Sequence, residues 1–417
     1  MLIARAFLGL ALFCFFAWLV SSNRRAFPWR VVIGGLILQF ALGIWTQTTE
    51  SGRAFFSSIA ELAKKLIAMA EPGAQLVFGP LANFEAMAEV FGPDNAFVFA
   101  FAGTGLAAIL FFSALMAVLY HLGIMQILVW LLARVLSGVL GVSGAEAMAM
   151  AANVFVGQTE APLVVRPYLA KMTMSELNAL MTGGFATIAG SVLAIYMGLI
   201  GDELGPHLLT ASVMSAPAAF LMAKIMLPET QVSATGGKPQ LRFERTASNV
   251  VEAAAQGTTD GLKLWLNVIA MLIAFTALVQ FVNWPLEAWT GLNLNDVFGY
   301  VFAPVAWIMG VEGWHDCQML GSLLGFKIAV NEFVAFDQMH TLLAQTGEAT
   351  FEHTRTAKMA AYSLCGFANF ASIGIQIGGL GALVPERRAD LAKLAVRAMI
   401  GGACASWMTA TVAGVFV

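Results

Sequence analysis

Of 417 residues, 59% are hydrophobic and only 11% charged, the formal net charge is −3, and the mean hydropathy is +0.78. Soluble domains carry roughly a quarter charged residues, so this chain has too few to cover a water-facing surface, and its net charge is too small to indicate nucleic acid as a partner. Four cysteines (Cys14, Cys317, Cys365, Cys404) lie far apart and imply neither a disulfide framework nor a metal knuckle.

An α-helical span needs roughly 20 mostly apolar residues, and the in-out alternation of a β-barrel is absent. The expectation is an all-α integral membrane protein with eight spans, over 2–20, 31–45, 97–120, 177–200, 207–226, 262–282, 358–380 and 394–417. Only Arg5 precedes the first apolar run, Arg24, Arg25 and Arg30 follow it, and no small-residue cleavage site separates them. This reads as a retained span rather than a signal peptide. Basic loops favour the cytoplasm. That places 21–30, the linker 227–249 and the residues around Arg387, Arg388, Lys393 and Arg397 inside, with both termini outside. The segment 51–70 mixes apolar residues with Glu61, Lys64 and Lys65, as an interfacial amphipathic helix does.

Two segments, 143–171 and 312–338, are apolar but interrupted by Gln, Thr, Glu and Asn. Polar backbone at membrane depth is tolerated only where it is buried in protein or lines a wet cavity, so both read as re-entrant hairpins. The two halves of the chain repeat an order of features. Gly141-Val142-Ser143-Gly144, Glu160 and Gly184-Phe185-Ala186-Thr187 are followed later by Gly310-Val311-Glu312-Gly313, Glu332 and Gly366-Phe367-Ala368-Asn369. With the topology above, the halves are antiparallel. Inverted repeats with broken helices are how many secondary transporters build a midplane site. The expected units are 1–95 (two spans and the interfacial helix), 96–226 (first repeat), 227–249 (cytoplasmic linker) and 250–417 (second repeat).

A carboxylate at the centre of a membrane helix costs about 2.5–3.5 kcal/mol on insertion scales and so marks a functional pathway. Glu160, in Gln158-Thr159-Glu160, and Glu332 both qualify. Three classes of function remain: a cation-driven secondary transporter, an intramembrane enzyme using the two glutamates as acid and base, and a carboxylate-lined channel. No histidine or cysteine adjoins either glutamate to serve an enzyme, a channel does not explain two broken helices with opposed hairpins, and no Gly-x-x-x-x-Gly-Lys-Ser/Thr run supports ATP drive. Thr173 and Glu176 have capping-box spacing. His315-Asp316-Cys317 reads as a hairpin base rather than a metal cluster.

Gly-Gln-Thr-Glu-Ala-Pro-Leu at 157–163, Asn-Glu-Phe-Val-Ala at 331–335 and Cys-Gly-Phe-Ala-Asn at 365–369 resemble the concentrative nucleoside transporter family, and the order of segments matches over nearly the whole chain. The resemblance implies eight transmembrane helices, two hairpins, interfacial helices, a homotrimer in the bacterial inner membrane, and symport of nucleosides with a cation. It places Gln158, Thr159 and Glu160 at the nucleobase, with Val192 and Leu264 packing on the base. Glu332, Asn369 and Ser372 fall at the ribose, with Phe367 nearby. Asn153, Val156, Thr187 and Ile188 match its sodium site, Thr187 standing where relatives often have serine. An amide and a hydroxyl can pair with a pyrimidine edge, and a carboxylate can accept from two ribose hydroxyls. Gln158 with Thr159 favours uridine and cytidine, and a proton stands as the alternative coupling ion.

Overall fold

The computed structural model describes residues 2–92, 104–234, 236, 247–345, 347 and 350–417. Residues 97–103 of the expected third span, and Lys238, Arg242 and Arg245 of the linker, lie outside them. Among the described residues the chain is helical with no strand. Five helices come first: α1 (Leu2–Leu19), α2 (Trp29–Thr48), α3 (Glu50–Ala68), α4 (Glu71–Phe78) and α5 (Phe84–Phe91). α3 is the expected amphipathic helix: it buries Gly52, Phe56 and Ala60, and the Thr49 side chain caps it by accepting from the Gly52 amide.

Two series of helices then run in the same order. The first is α6 (Thr104–His121), α7 (Ile124–Leu140), α8 (Gly144–Asn153), α9 (Arg166–Leu169), α10 (Met174–Ala186) and α11 (Gly190–Met226). The second is α12 (Val250–Thr290), α13 (Leu294–Met309), α14 (Trp314–Ala329), α15 (Glu332–Ala344), α16 (Thr354–Leu364) and α17 (Phe370–Leu383), and α18 (Arg388–Ala413) closes the chain. Helices α7 and α13 end on glycines in the left-handed region, Gly141 (φ 72°) and Gly310 (φ 97°), a conformation that glycine adopts at little steric cost. α8 and α10 each begin with a capping box, Ser143 with Glu146 and Thr173 with Glu176. The Lys224 ammonium on α11 lies 2.7 Å from Glu146, which anchors the start of α8 to the end of α11.

Several elements differ from the sequence reading. α7 and α13 fall where no element was expected; at 17 and 16 residues they are shorter than a span. α12 runs for 41 residues, well beyond the expected 262–282. The breaks expected in 177–200 and 358–380 are present: each segment is two helices, parted at 187–189 and at 365–369. α11 is broken by a kink at Gly201 (φ 81°), and His207 lies near the start of its second part, Glu203–Met226, its Nδ1 3.2 Å from the Tyr362 hydroxyl. Among the described residues, three single helices are long and apolar enough to cross a membrane (Trp29–Thr48, Glu203–Met226 and Val250–Thr290), or up to five if each of two bent pairs is one span.

The core lies around α8, α10, α16, α18 and the second part of α11. In the most apolar 18 residues of Glu203–Met226, 89% are buried, against none in the most apolar 18 residues of α12. α12 instead packs edge-on against α6 through Gly257 and Gly261; a Cβ on Gly257 would lie 2.5 Å from the Ser113 carbonyl oxygen. The two helix breaks also touch. A Cβ on Gly366 (φ 133°) would sit 2.8 Å from the Phe185 carbonyl oxygen and 2.9 Å from that of Ala186, at the end of α10.

Candidate functional site

One cavity of about 660 Å³ opens between α6 and α12 on one side and the turn after α8, the start of α11, the start of α15 and the second helix break on the other. Gln158, Thr159, Glu160, Val192, Leu264, Glu332, Phe367, Asn369 and Ser372 all line it. These nine come from five separate stretches of chain, and the fold brings them to one surface.

Its polar wall is tightly organised. Glu332, at the start of α15, is buried, and both its oxygens are engaged: Oε1 accepts from the Tyr196 hydroxyl (2.9 Å) and Oε2 from Asn369 Nδ2 (2.9 Å). Asn369 turns its other face to the backbone, its Oδ1 accepting from the Ser372 amide (2.8 Å) to cap α17. A carboxylate oxygen has two lone-pair sites, so each Glu332 oxygen retains capacity for a further donor from the cavity. Gln158 Nε2 donates to Ser372 Oγ (3.2 Å), while its Oε1 accepts from Gln376 Nε2 (3.0 Å), which also donates to the Met181 carbonyl (3.1 Å). The turn after α8 is thus tied directly to α17. Thr159 packs on Gly379 of α17, and Glu160 accepts from the Gly157 amide across its own turn (3.2 Å).

Tyr196 and Gln376 were absent from the sequence reading. An amide in the apolar run 370–383 carries the same signal that singled out Gln158. Tyr196 carries none, because its partner is 136 residues away.

Asn153, Val156, Thr187 and Ile188 are all buried; Val156 lines the cavity and the other three lie outside its lining. The Asn153 amide lies against Gly183, and neither its oxygen nor its nitrogen has a hydrogen-bond partner. The Thr187 hydroxyl donates to the Gly183 carbonyl (2.9 Å), and the Gly190 amide to that of Phe155 (3.1 Å), so the turn after α8 abuts the end of α10. A buried amide oxygen without a donor, next to the negative end of a helix dipole, fits a monovalent cation with oxygen ligands. Asp316, Glu352 and His353 also come close together. There, however, Asp316 accepts from the Glu352 and His353 amides and the Thr356 hydroxyl, which closes the start of α16.

Family models described as Na+ dependent nucleoside transporter N-terminus, nucleoside recognition (gate) and Na+ dependent nucleoside transporter C-terminus match residues 8–81, 106–203 and 207–414. The chain is similar, at 42% identity over 100% of its length and 98% of the relative's, to a transporter of Haemophilus influenzae. The chain belongs to the sodium-dependent nucleoside transporters. It is 38% identical to the rat sodium/nucleoside cotransporter 2 over 98% of its own length, and spans 62% of that longer protein. Solved structures of the transporter CNTnw share the fold at 39% identity. The inward-facing substrate-bound state gives a TM-score of 0.92 with 100% and 99% of the two chains covered, and an outward-facing variant 0.92 with 100% and 98%. As a nucleoside transporter the chain is an integral membrane protein, and its two cavity glutamates belong to a carrier and not to an enzyme.

Proposed function

We propose that this transporter imports nucleosides, pyrimidine nucleosides such as uridine foremost, by symport with sodium through alternating access. The single observation that supports this reading most is the meeting of all nine substrate candidates on one cavity. In it, the Gln158 amide and Thr159 hydroxyl address the base edge, and Val192 and Leu264 supply apolar surface to its face. Glu332, oriented by Tyr196 and Asn369, accepts from the vicinal ribose hydroxyls, with Ser372 and Phe367 completing the sugar pocket. Asn153 and Thr187 offer side-chain oxygens, and Val156 and Ile188 backbone carbonyls, to sodium. The coupled ion and the base pocket share one turn, Val154–Glu160, so a cation that orders this turn also orders Gln158.

The reading includes eight spans, with α10–α11 and α16–α17 as broken helices and 143–171 and 312–338 as re-entrant hairpins of an inverted repeat. It includes the units 1–95, 96–226, 227–249 and 250–417, a homotrimer, and a bacterial inner-membrane location with both termini outside. Proton coupling is the alternative, since Glu160 and Glu332 both face the cavity. Uptake of radiolabelled uridine into proteoliposomes, with sodium and pH gradients imposed separately, tests the proposal. Accumulation driven by sodium alone is expected. Accumulation driven only by the pH gradient would replace sodium with the proton, and no uridine uptake under either would remove the substrate reading.

A further inference from the structure

Each half of the chain contains a helix that stops inside the protein and is not closed by a backbone hydrogen bond from its C-cap residue. In the first half α10 ends at Thr187, and in the second α16 ends at Cys365, both C-caps lying in the extended region. Neutral donors reach some of the terminal carbonyls, Thr187 that of Gly183, Gln376 that of Met181 and Ser406 that of Cys365, but each terminus keeps roughly half a negative charge and so favours a positive partner.

The two halves answer differently. In the first, Asn153 in the last turn of α8 reaches the end of α10 with a neutral amide whose oxygen has no donor. In the second, Lys327 in the last turn of α14 reaches the end of α16, and its ammonium donates to the Ser363 carbonyl at 2.8 Å. Lys327 is 0% exposed, so it cannot extend its charge to water as membrane lysines near an interface do. No described carboxylate lies within ion-pair distance of it. A buried ammonium without a counter-ion is costly, and here the helix terminus, through the Ser363 carbonyl, is what compensates it. Equivalent helices thus send to equivalent breaks an oxygen ligand in one half and a cation in the other.

We infer that Lys327 is a tethered cation, filling at the break after α16 the place that a free ion takes at the break after α10. One exchangeable cation therefore suffices for each transport cycle. The inference rests on the sodium reading of Asn153, Val156, Thr187 and Ile188. It adds that the chain has two cation positions, one of them permanently occupied by its own side chain.

The test compares full-length protein with Lys327→Asn, which copies the ligand of the first half, Lys327→Arg, which keeps the charge, and Lys327→Met, which removes both. Two quantities are read in detergent: the thermal midpoint without nucleoside in sodium, methylammonium or choline chloride, and uridine binding titrated against sodium. The wild type and Lys327→Arg should show first-order dependence on sodium. Lys327→Asn should become second-order, with a sodium midpoint at least tenfold higher, and should gain more thermal stability from sodium or methylammonium than the wild type does. Lys327→Met should lose stability that neither ion restores.

First-order behaviour with an unchanged midpoint in Lys327→Asn would overturn the inference. So would equal loss in Lys327→Asn and Lys327→Met with no response to either ion, or failure to obtain folded Lys327→Asn even when it is purified in methylammonium chloride. The thermal measurement needs no nucleoside, so an absence of uridine binding in the wild type would count against the substrate reading alone.

Discussion

The Tyr196 hydroxyl donates to Glu332 Oε1 over 2.9 Å while its ring stacks on Phe336 with centroids 4.6 Å apart. The stack fixes the ring, and the ring fixes one oxygen of the carboxylate proposed to read the ribose. Tyr196→Phe keeps the stack and deletes the donor. The bond is present in the empty protein and a hydrogen bond to a charged group is worth about 1.5–3 kcal/mol, so the thermal midpoint should fall and uridine should bind up to about tenfold more weakly as Glu332 loses its orientation. Calorimetry on the purified protein checks this, and an unchanged affinity would show that Glu332 needs no help in holding its orientation.

Glu332→Gln keeps the shape of the side chain and removes its charge. It should weaken uridine by about tenfold or more and weaken 3′-deoxyuridine less, because the analogue already lacks one donor. The comparison is a thermodynamic cycle of two proteins against two ligands. Equal losses would assign Glu332 to proton coupling or to structure.

Gln376 holds the Gln158 amide by its oxygen. Gln376→Leu leaves that amide held only by Ser372, whose hydroxyl can accept from the nitrogen or donate to the oxygen, so the amide can turn end for end and exchange a donor for an acceptor at the proposed base edge. Leaving a buried polar group unpaired costs about 1–3 kcal/mol, so discrimination between uridine and cytidine should change by about fivefold or more. Competition of each against labelled uridine measures it. An unaltered ratio, together with unaltered affinity in Gln158→Ala, would make this turn a scaffold.

Asn153→Ala removes an oxygen from the proposed cation site without touching the cavity lining. The sodium concentration for half-maximal uridine binding should rise, while affinity at saturating sodium stays close to wild type. A sodium midpoint that does not move would take Asn153 out of the site.

Gly366→Ala places a methyl group against two carbonyl oxygens of α10 in a backbone conformation that alanine resists. Strain of this kind costs about 1–3 kcal/mol before the steric contact is added. A clear drop in thermal midpoint is expected, and full stability would mean that the two breaks do not press on each other.

The class of the protein and the content of its cavity were legible in the sequence because intramembrane polar residues are rare enough to stand out singly: Gln158, Glu160, Glu332 and Asn369 each interrupt an apolar run. Helices α7 and α13 were not legible as elements, since 17 and 16 residues fall short of a span and neither shows a strong polar face. The true length of α12 was hidden by Glu252 and Asp260 near one end and Pro285 near the other. Tyr196 and Gln376 were missed for another reason. Their roles exist only through partners 136 and 218 residues away, and sequence reveals a lone polar side chain more readily than what it touches. Lys327 did carry a signal, a charge five residues before Glu332 in an apolar segment, but its meaning depends on where α16 stops.

Helix α12 brings the lipid itself into the behaviour of the carrier. At 1.5 Å per residue its 41 residues extend about 60 Å, against roughly 30 Å of hydrocarbon. It must therefore lean steeply or project beyond the bilayer. Trp284 and Trp289 stand exposed near its C-terminal end, suited to anchoring at a headgroup layer. Gln256, Asp260 and Lys263, which line the cavity, occupy its N-terminal part. With one end anchored, the depth of that polar rim depends on bilayer thickness, so acyl-chain length becomes a control on how readily the cavity meets water.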